Sequence, residues 1–98
     1  MKARIVLKKG SNNIFTDLGF TASESQNLAL RSDLMIRIEK LVQDSGMTQQ
    51  QAAKTLGVTQ PRLNALLKGK IADFSLDALV NMLARAGMQV KMTVKKAA

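Results

Sequence analysis

Apolar residues recur three or four positions apart over a long stretch of the chain, between Thr21 and Gly46. The recurring positions are Leu30, Leu34, Ile38, Leu41 and Val42. This spacing places them on one face of a helix, so it predicts a long amphipathic helix. Thr21 with Glu24, and Ser23 with Gln26, offer two overlapping capping boxes for its start. Gly46 is predicted to end the helix in the left-handed conformation.

Three shorter helices are predicted after Gly46, and a hydroxyl residue precedes each of them. Thr48 caps the second helix, Thr59 the third and Ser75 the fourth, because their oxygens accept hydrogen bonds from the free N–H groups of a first turn. Pro61 falls in the first turn of the third helix, where its missing N–H costs nothing. The glycines predicted to end these helices are Gly57, Gly69 and Gly87.

Both ends of the chain favour β-structure. Residues 88–95 (MQVKMTVK) alternate apolar and polar side chains, which predicts a half-buried strand. Residues 3–9 (ARIVLKK) include β-branched side chains and favour a second strand, after which GSNN breaks the pattern. Residues 14–20 (IFTDLGF) indicate an irregular apolar lead-in to the first helix.

The net charge of +8 is unevenly distributed along the chain. Residues 45–72 carry four bases and no acid, whereas residues 17–44 carry five acids and three bases. A basic surface attracts polyanions, because each neutralised phosphate releases condensed counterions. Since the acid-free window coincides with two of the short helices, it points to nucleic acid more strongly than the total charge does.

Several classes of function are excluded by what the sequence lacks. There is no Cys and no His, which removes disulfides, thiolate metal sites and the commonest general base. The acidic residues are dispersed, with no paired carboxylates and no Gly-rich phosphate loop. We therefore expect no enzyme activity, no catalytic residues, no metal and no cofactor. No run is long enough to span a membrane and no secretion signal is present, which predicts a cytoplasmic location.

The acid-free window has the pattern of a helix-turn-helix. Gly57 supplies the positive φ that the tight turn needs, and Ala53 is small enough to let the two helices approach closely. Val58, Leu63 and Leu66 are predicted to face the core. The residues predicted to face outward are Gln60, Pro61, Arg62, Asn64 and Ala65. A recognition helix presents this part of its surface to base edges in a major groove.

Length and composition fit one small domain. At 98 residues with 46% hydrophobic side chains, the chain can bury a single core. Its aromatic residues are all Phe and make up 3%, so an aliphatic core is predicted. The predicted fold is mainly α, a small helix-turn-helix domain of about four to five helices with a C-terminal β-strand. Its predicted parts are an N-terminal arm (1–20), the DNA-binding domain (21–87) and a strand with a basic tail (88–98).

The stretch MTQQQAAKTLGVTQPRLNALLKGK (47–70) resembles the helix-turn-helix of phage-repressor and Cro-like (XRE-type) regulators, and the resemblance extends over about residues 34–87. The flanking SNNIFTDLGF (11–20) and FSLDALVNMLARAG (74–87), with the terminal strand, resemble a subgroup that includes HigA-type antitoxins. Such antitoxins are encoded beside RelE/HigB-like ribonuclease toxins. The resemblance implies a repressor that binds double-stranded operator DNA and autoregulates the operon of a toxin–antitoxin pair.

The resemblance also implies roles for single residues. Gln49 matches the family's glutamine at the start of the second helix, which clamps a phosphate and braces the recognition helix. Thr59 caps the recognition helix and contacts phosphate. Gln60 is the expected base reader, since its amide can pair with adenine N6 and N7. Lys68 and Lys70, in the loop after the helix, are expected on phosphates.

Four further positions of the recognition helix are expected at the DNA. Pro61 and Ala65 match base-facing family positions but carry no hydrogen-bonding side chain, so they can touch only a thymine methyl. Arg62 reaches either guanine or the backbone, and Asn64 is a second candidate reader. Base readout per subunit therefore looks thin, and specificity is expected to depend on DNA shape and on two half-sites.

The C-terminal strand bears on how two half-sites are joined. A single strand is not stable alone, so it must pair with the N-terminal segment, with the same strand of a second subunit, or with another protein's sheet edge. We expect the second arrangement, a homodimer joined through Val90, Met92 and Val94. Such a two-fold dimer would match a palindromic operator.

Two other functions fit the same residues. One is a stand-alone regulator of phage or mobile-element type, with no toxin partner. The other is a helix-turn-helix adaptor that binds only protein. Thr48 and Thr59 cap helices in all three cases and do not discriminate among them. Gln60 and Arg62 have no structural requirement that the sequence reveals, and this favours DNA binding.

Overall fold

The structure, a computed structural model, describes the backbone of residues 2–5 and all of residues 14–96. Its elements in chain order are β1 (Lys2–Ile5), α1 (Ala22–Ser45), α2 (Gln49–Leu56), α3 (Gln60–Leu67), α4 (Leu76–Arg85) and β2 (Gln89–Met92). A 3₁₀ turn at Ile71–Asp73 separates α3 from α4, and a helical turn at 14–17 precedes α1. The predicted fold class, a mainly α helix-turn-helix domain with a C-terminal strand, is confirmed.

Each α-helix begins after the hydroxyl residue that the sequence predicts. The side-chain oxygen of each cap accepts a hydrogen bond from the backbone N–H three residues later. The caps are Thr21, Thr48, Thr59 and Ser75. Of the two capping boxes predicted for α1, the structure forms the one between Thr21 and Glu24. Gly46 ends α1 with a φ of 72°, which glycine adopts without the Cβ penalty of other residues.

The core is shared by helices α1 to α4 and by the residue before the cap of α4. Its members are Leu34, Met35, Ile38, Ala52, Ala53, Leu56, Leu63, Leu66, Phe74, Leu79, Met82 and Leu83. The prediction of an aliphatic core is wrong at Phe74, whose side chain is completely buried. Phe74 precedes the Ser75 cap, and Leu79, the fourth residue of α4, is also completely buried. These are the two positions of a hydrophobic staple, which explains why an aromatic ring enters the core here.

β1 and β2 form a parallel two-stranded sheet, in which Ala3 lies opposite Val90 and Ile5 opposite Met92. Parallel strands need a long crossover connection, and here the whole helical domain lies between them. The sequence left three pairings open for this strand, and the structure shows the first of them. One edge of β2 is occupied by the chain's own N-terminal segment. Residues 6–13, which include the rest of the predicted first strand and its GSNN break, lie outside the described residues.

β2 is shorter than the alternating pattern that predicted it. Met88 and Val90 are half-buried against the core, as expected for the inner side of the strand. The strand ends at Met92, which is 46% exposed, and Val94 is 94% exposed. The apolar side of the pattern is thus covered only at its beginning. The homodimer expected through Val90, Met92 and Val94 stays a prediction.

The irregular lead-in predicted at 14–20 is wrong for its first half, because residues 14–17 form a helical turn. The rings of Phe15 and Phe20 meet edge to face, with 6.3 Å between their centroids. Ser25 of α1 is completely buried and donates a hydrogen bond from its hydroxyl to the carbonyl of Phe20, at 3.5 Å. This segment is therefore tied to the start of α1 by contacts that its own periodicity does not reveal.

Candidate nucleic-acid interface

The turn between α2 and α3 is closed by backbone hydrogen bonds around Gly57. Gly57 has a φ of 74°, and its N–H donates to the carbonyl of Lys54 at 3.2 Å. The N–H of Val58 donates to the carbonyl of Ala53 at 3.0 Å. A side chain at position 57 would collide with the side chain of Arg85 at the end of α4. Glycine is required here for its backbone conformation, whereas the exposed side chain of Arg85 could move aside.

α3 has a buried face and an exposed face, and their register is the predicted one. Leu63 and Leu66 are buried, at 0% and 1% exposure. The exposed residues are Gln60, Pro61, Arg62 and Asn64. Ala65 is half-buried at the edge of the exposed face, and Val58 is half-buried rather than fully enclosed in the core. The structure thus leaves most of the predicted base-facing residues open to solvent.

Three of the residues predicted to contact DNA carry exposed amide side chains that make no hydrogen bond within the described residues. They are Gln49, Gln60 and Asn64. The nearby Gln51 differs, because its side-chain oxygen accepts the N–H of Thr48 at 3.0 Å and completes a capping box. A free amide offers donors and an acceptor together, which is the combination that pairs with adenine N6 and N7.

The two ends of α3 are held by hydrogen bonds that involve predicted site residues. At its start, the hydroxyl oxygen of Thr59 accepts the N–H of Arg62 at 3.3 Å. At its end, the N–H of Lys68 donates to the carbonyl of Asn64 at 3.0 Å, and the N–H of Lys70 donates to that of Ala65 at 3.1 Å. Both lysine side chains are exposed. Of the nine residues predicted to contact DNA, eight lie on α3 or within three positions of it, whereas Gln49 begins α2.

The cations of this region are free of competing acids. Residues 45–72 contain no Asp or Glu. Their four basic residues make no ion pair within the described part of the chain. These bases are Lys54, Arg62, Lys68 and Lys70. An unpaired exposed cation keeps its full attraction for phosphate, so the charge pattern predicted from the sequence is preserved in the folded chain.

Arg62 has a structural partner that the sequence did not reveal. Its guanidinium carbon lies 4.4 Å from the centroid of the Phe74 ring, within the range of a cation–π contact. The side chain as a whole is still exposed, because only one face of the guanidinium can lie against the ring. The interpretation that Arg62 has no structural role is therefore wrong.

The loop that carries Phe74 is held by an arginine from α1. Nη1 of Arg31 donates to the carbonyl of Ile71 at 3.2 Å and to the carbonyl of Phe74 at 3.4 Å. Nε of the same side chain donates to Oδ1 of Asn27, one turn earlier in α1, at 2.7 Å. Two contacts therefore connect α1 to Arg62: Arg31 of α1 holds the loop, and the loop places the Phe74 ring beside Arg62.

Sequence reasoning missed three residues at this surface: Arg31, Phe74 and Arg85. One of them carried a local signal, since Phe74 and Leu79 occupy the staple positions around the Ser75 cap. Arg31 and Arg85 had no such signal, because each contacts a segment far away in the chain.

The two short helices, the glycine turn and the exposed face of α3 define the chain as a helix-turn-helix protein. Over residues 14–95 it matches the family described as a helix-turn-helix domain, and it belongs to that family. No curated protein matches the chain. The matched region begins at the helical turn before α1 and extends beyond β2, so it includes much more than the motif at 47–70. Within the described ranges, no helix is both long enough and apolar enough to cross a membrane.

Proposed function

We propose that this protein is a sequence-specific DNA-binding transcriptional repressor and the antitoxin of a toxin–antitoxin pair that autoregulates its operon. The observation that carries the first part is the outer surface of α3. It combines free amides at Gln60 and Asn64 with cations that have no acidic partner. Membership of the helix-turn-helix family supports the same assignment. The protein acts by binding and not by catalysis, and it works in the cytoplasm.

In the proposed complex, the first half of α3 enters the major groove. Gln60 and Asn64 read base edges by their amides, while Pro61 offers only an apolar surface to a thymine methyl. Lys68 and Lys70 follow α3 and neutralise phosphates on one side. The remaining contacts are made by Gln49 and Thr59 to phosphate and by Ala65 at the margin of the reading surface.

Few base contacts per subunit call for two half-sites, and we propose that a homodimer supplies them. β1 pairs with one edge of β2, and no strand in the described residues pairs with the other edge. The exposed side chains of Met92 and Val94 extend this open region. A second copy joined here would present two recognition helices to a palindromic operator.

The dimer has a direct test in Met92→Lys. If β2 lies at the subunit contact, the new charge loses its hydration there, so the molar mass in light scattering should fall towards that of a monomer. Binding to a two-half-site duplex should fall with it. Lys91→Ala is the matched control, because Lys91 is a neighbouring exposed residue of the same strand. A Met92→Lys variant that stays dimeric would place the subunit contact elsewhere.

The antitoxin part of the proposal is supported by exposed apolar side chains of α1 and of the segment before it. Ile14, Leu18 and Ile36 are 60%, 70% and 58% exposed. Phe15, Ile36 and Glu39 line one groove, whose lining also includes Leu66 of α3 and Gly69 and Ile71 after it. Exposed apolar side chains beside a groove are typical of protein interaction sites, and the carboxylate of Glu39 suits a basic partner such as a RelE/HigB-like toxin.

The central experiment measures binding of the full chain to duplex DNA selected from a random library, over a series of salt concentrations. We expect a selected sequence to bind more tightly than a scrambled one, and the logarithm of the association constant to fall linearly with the logarithm of the salt concentration. Salt-independent binding, or none, would leave only the protein-binding adaptor. A neighbouring toxin gene whose product co-purifies with the chain would support the antitoxin function over that of a stand-alone regulator. In that complex, Ile36→Glu should release the toxin and leave DNA binding intact.

A further inference from the structure

Arg62 is an unusual side chain for its position in α3. It is the third residue of the helix, where the partial positive charge of the helix dipole makes a cation unfavourable. It makes no ion pair within the described residues. Helix stability therefore does not account for an arginine at this position, although the same residue would be well placed if an anion approached the start of the helix.

The contact with Phe74 constrains which part of the guanidinium remains available. The guanidinium carbon lies 4.4 Å from the ring centroid, so the ring covers one face of the group. A guanidinium donates its hydrogen bonds from its edge and not from its face. In the described part of the chain, no side-chain nitrogen of Arg62 donates a hydrogen bond. The ring thus restricts the side chain and leaves the donors that recognise paired acceptors unoccupied.

Phe74 is itself firmly placed. Its ring is completely buried in the core. Its carbonyl accepts a hydrogen bond from Arg31 at 3.4 Å, and the same guanidinium nitrogen donates to Ile71 at 3.2 Å. Arg31 is oriented in turn by Asn27 at 2.7 Å. A ring held in this way is a rigid surface, so it lowers the conformational entropy that Arg62 must lose when it binds.

We propose that Phe74 is a positioning residue for DNA binding, and that it holds Arg62 with its donor edge directed at a pair of acceptors on duplex DNA. The pair is either two oxygens of a backbone phosphate or O6 and N7 of a guanine, since both accept a bidentate guanidinium. Arg31 acts one step further away by holding the loop that carries the ring. This inference rests on the proposed DNA-binding function and adds a residue that lies outside the helix-turn-helix motif itself.

The experiment is a double-mutant cycle on the full chain, with binding to the selected duplex as readout. Arg62→Ala should weaken binding about tenfold, within the range of a bidentate contact. Phe74→Leu should weaken it about two- to fivefold, the value of a cation–π contact at an exposed site. The deciding result is the double variant: Phe74→Leu should have almost no further effect once Arg62 is Ala. Equal losses in both backgrounds would overturn the proposal, because Phe74 would then act only through the core.

A second variant keeps the test decisive if Phe74→Leu folds poorly. Arg31→Lys removes the planar donor that reaches both loop carbonyls and leaves the core side chains unchanged. It should weaken binding when Arg62 is present and have no effect on the Arg62→Ala variant. Arg37→Ala is the matched control, an exposed arginine of the same helix that should leave specific binding almost unchanged. A loss from Arg31→Lys that persists without Arg62 would overturn the proposal.

Two further readings of the same titrations identify the acceptor. If Arg62 meets phosphate, Arg62→Ala should lower the salt slope by about one unit for every sequence. If it meets guanine, discrimination at one base pair of each half-site should disappear. Either result supports the proposal, whereas an Arg62→Ala variant that binds like the wild type overturns it. Should the wild type bind no duplex at any salt concentration, the proposed function falls together with this inference; additive losses in a protein that does bind remove the inference alone.

Discussion

The inward and outward faces of α3 are held by different interactions, although they belong to one helix of eight residues. On the inward face, Leu63 and Leu66 are enclosed by side chains of the other helices. On the outward face, Gln60 and Asn64 make no side-chain hydrogen bond within the described residues. The fold therefore depends on the inward face and leaves the outward face free, so substitutions on the two faces should change different measured quantities.

Arg62 does not fit either class. It belongs to the exposed set, but its guanidinium lies against the buried ring of Phe74. Such a residue couples the two faces, because it joins the core to the surface that is proposed to meet DNA. We therefore expect the division of α3 into a structural face and a DNA-reading face to hold best at Leu63, which is buried, and at Gln60, which is exposed.

A substitution on the inward face should cause the greatest loss of stability. Leu63→Ala should lower the free energy of unfolding by about 2–5 kcal/mol, since it removes buried methyl groups and leaves a cavity. Urea denaturation followed by circular dichroism measures this loss. Asn64→Ala, one position along the same helix, is the control and should change stability by less than about 0.5 kcal/mol. If the two variants unfold alike, the register of α3 is wrong.

On the outward face, Gln60→Ala should do the reverse. We expect it to cost about 1–3 kcal/mol of discrimination at one base pair in each half-site, the usual value of a good bidentate contact. Its unfolding curve should match that of the wild type to within about 0.5 kcal/mol. Binding titrations on the selected duplex and on single-base variants measure the first quantity. A variant that unfolds early, or that keeps full discrimination, would contradict the assignment of Gln60 as a reader.

The loop after α3 should show a smaller effect that does not depend on sequence. Lys68→Ala or Lys70→Ala should weaken binding to all duplexes about equally and lower the salt slope by roughly one unit each. Titrations at several salt concentrations measure that slope. Lys40→Ala, an exposed lysine of α1, should leave it unchanged. A Lys70→Ala variant that alters base preference instead would move this residue from phosphate contact to base reading.

A weak dependence of stability on pH is expected away from both faces, at the start of α1. The hydroxyl of Thr21 donates to Glu24 at 2.6 Å, and this hydrogen bond lowers the pKa of the Glu24 carboxyl. Because the pKa is lowered in the folded chain, the stabilisation is present above the ordinary carboxyl range and is lost as the pH falls through the lowered pKa. Melting temperatures measured from neutral to acidic pH should show this loss as a small contribution.

The control for that measurement is Glu24→Gln, which keeps an acceptor in the capping box but does not titrate. The difference in melting temperature between wild type and variant should shrink as the pH falls. A difference that stays constant across the acidic range would show that the charge of Glu24 does not contribute to the cap.

Much of the candidate site was predictable because its signals act over a few residues. The cap at Thr59 and the proline in the first turn predict the start of α3, and the spacing of Leu63 and Leu66 predicts its buried side. Once that side is known, the exposed positions of the helix follow from its period of 3.6 residues. Function required one more step, the resemblance to a family, which no helical period can supply.

Local patterns in the chain specify where the helices begin, where the turn lies and which face of α3 is buried, since each depends on residues at most four positions apart. Contacts between distant segments are needed to show that Arg31 holds a loop 40 residues away and that Phe74 supports Arg62. The same is true of the parallel pairing between β1 and β2, which lie at opposite ends of the chain. A strand edge can pair with any compatible strand, and an arginine can donate to any free carbonyl within reach. Local patterns do not distinguish among these partners, so the packing of distant segments selects one of them.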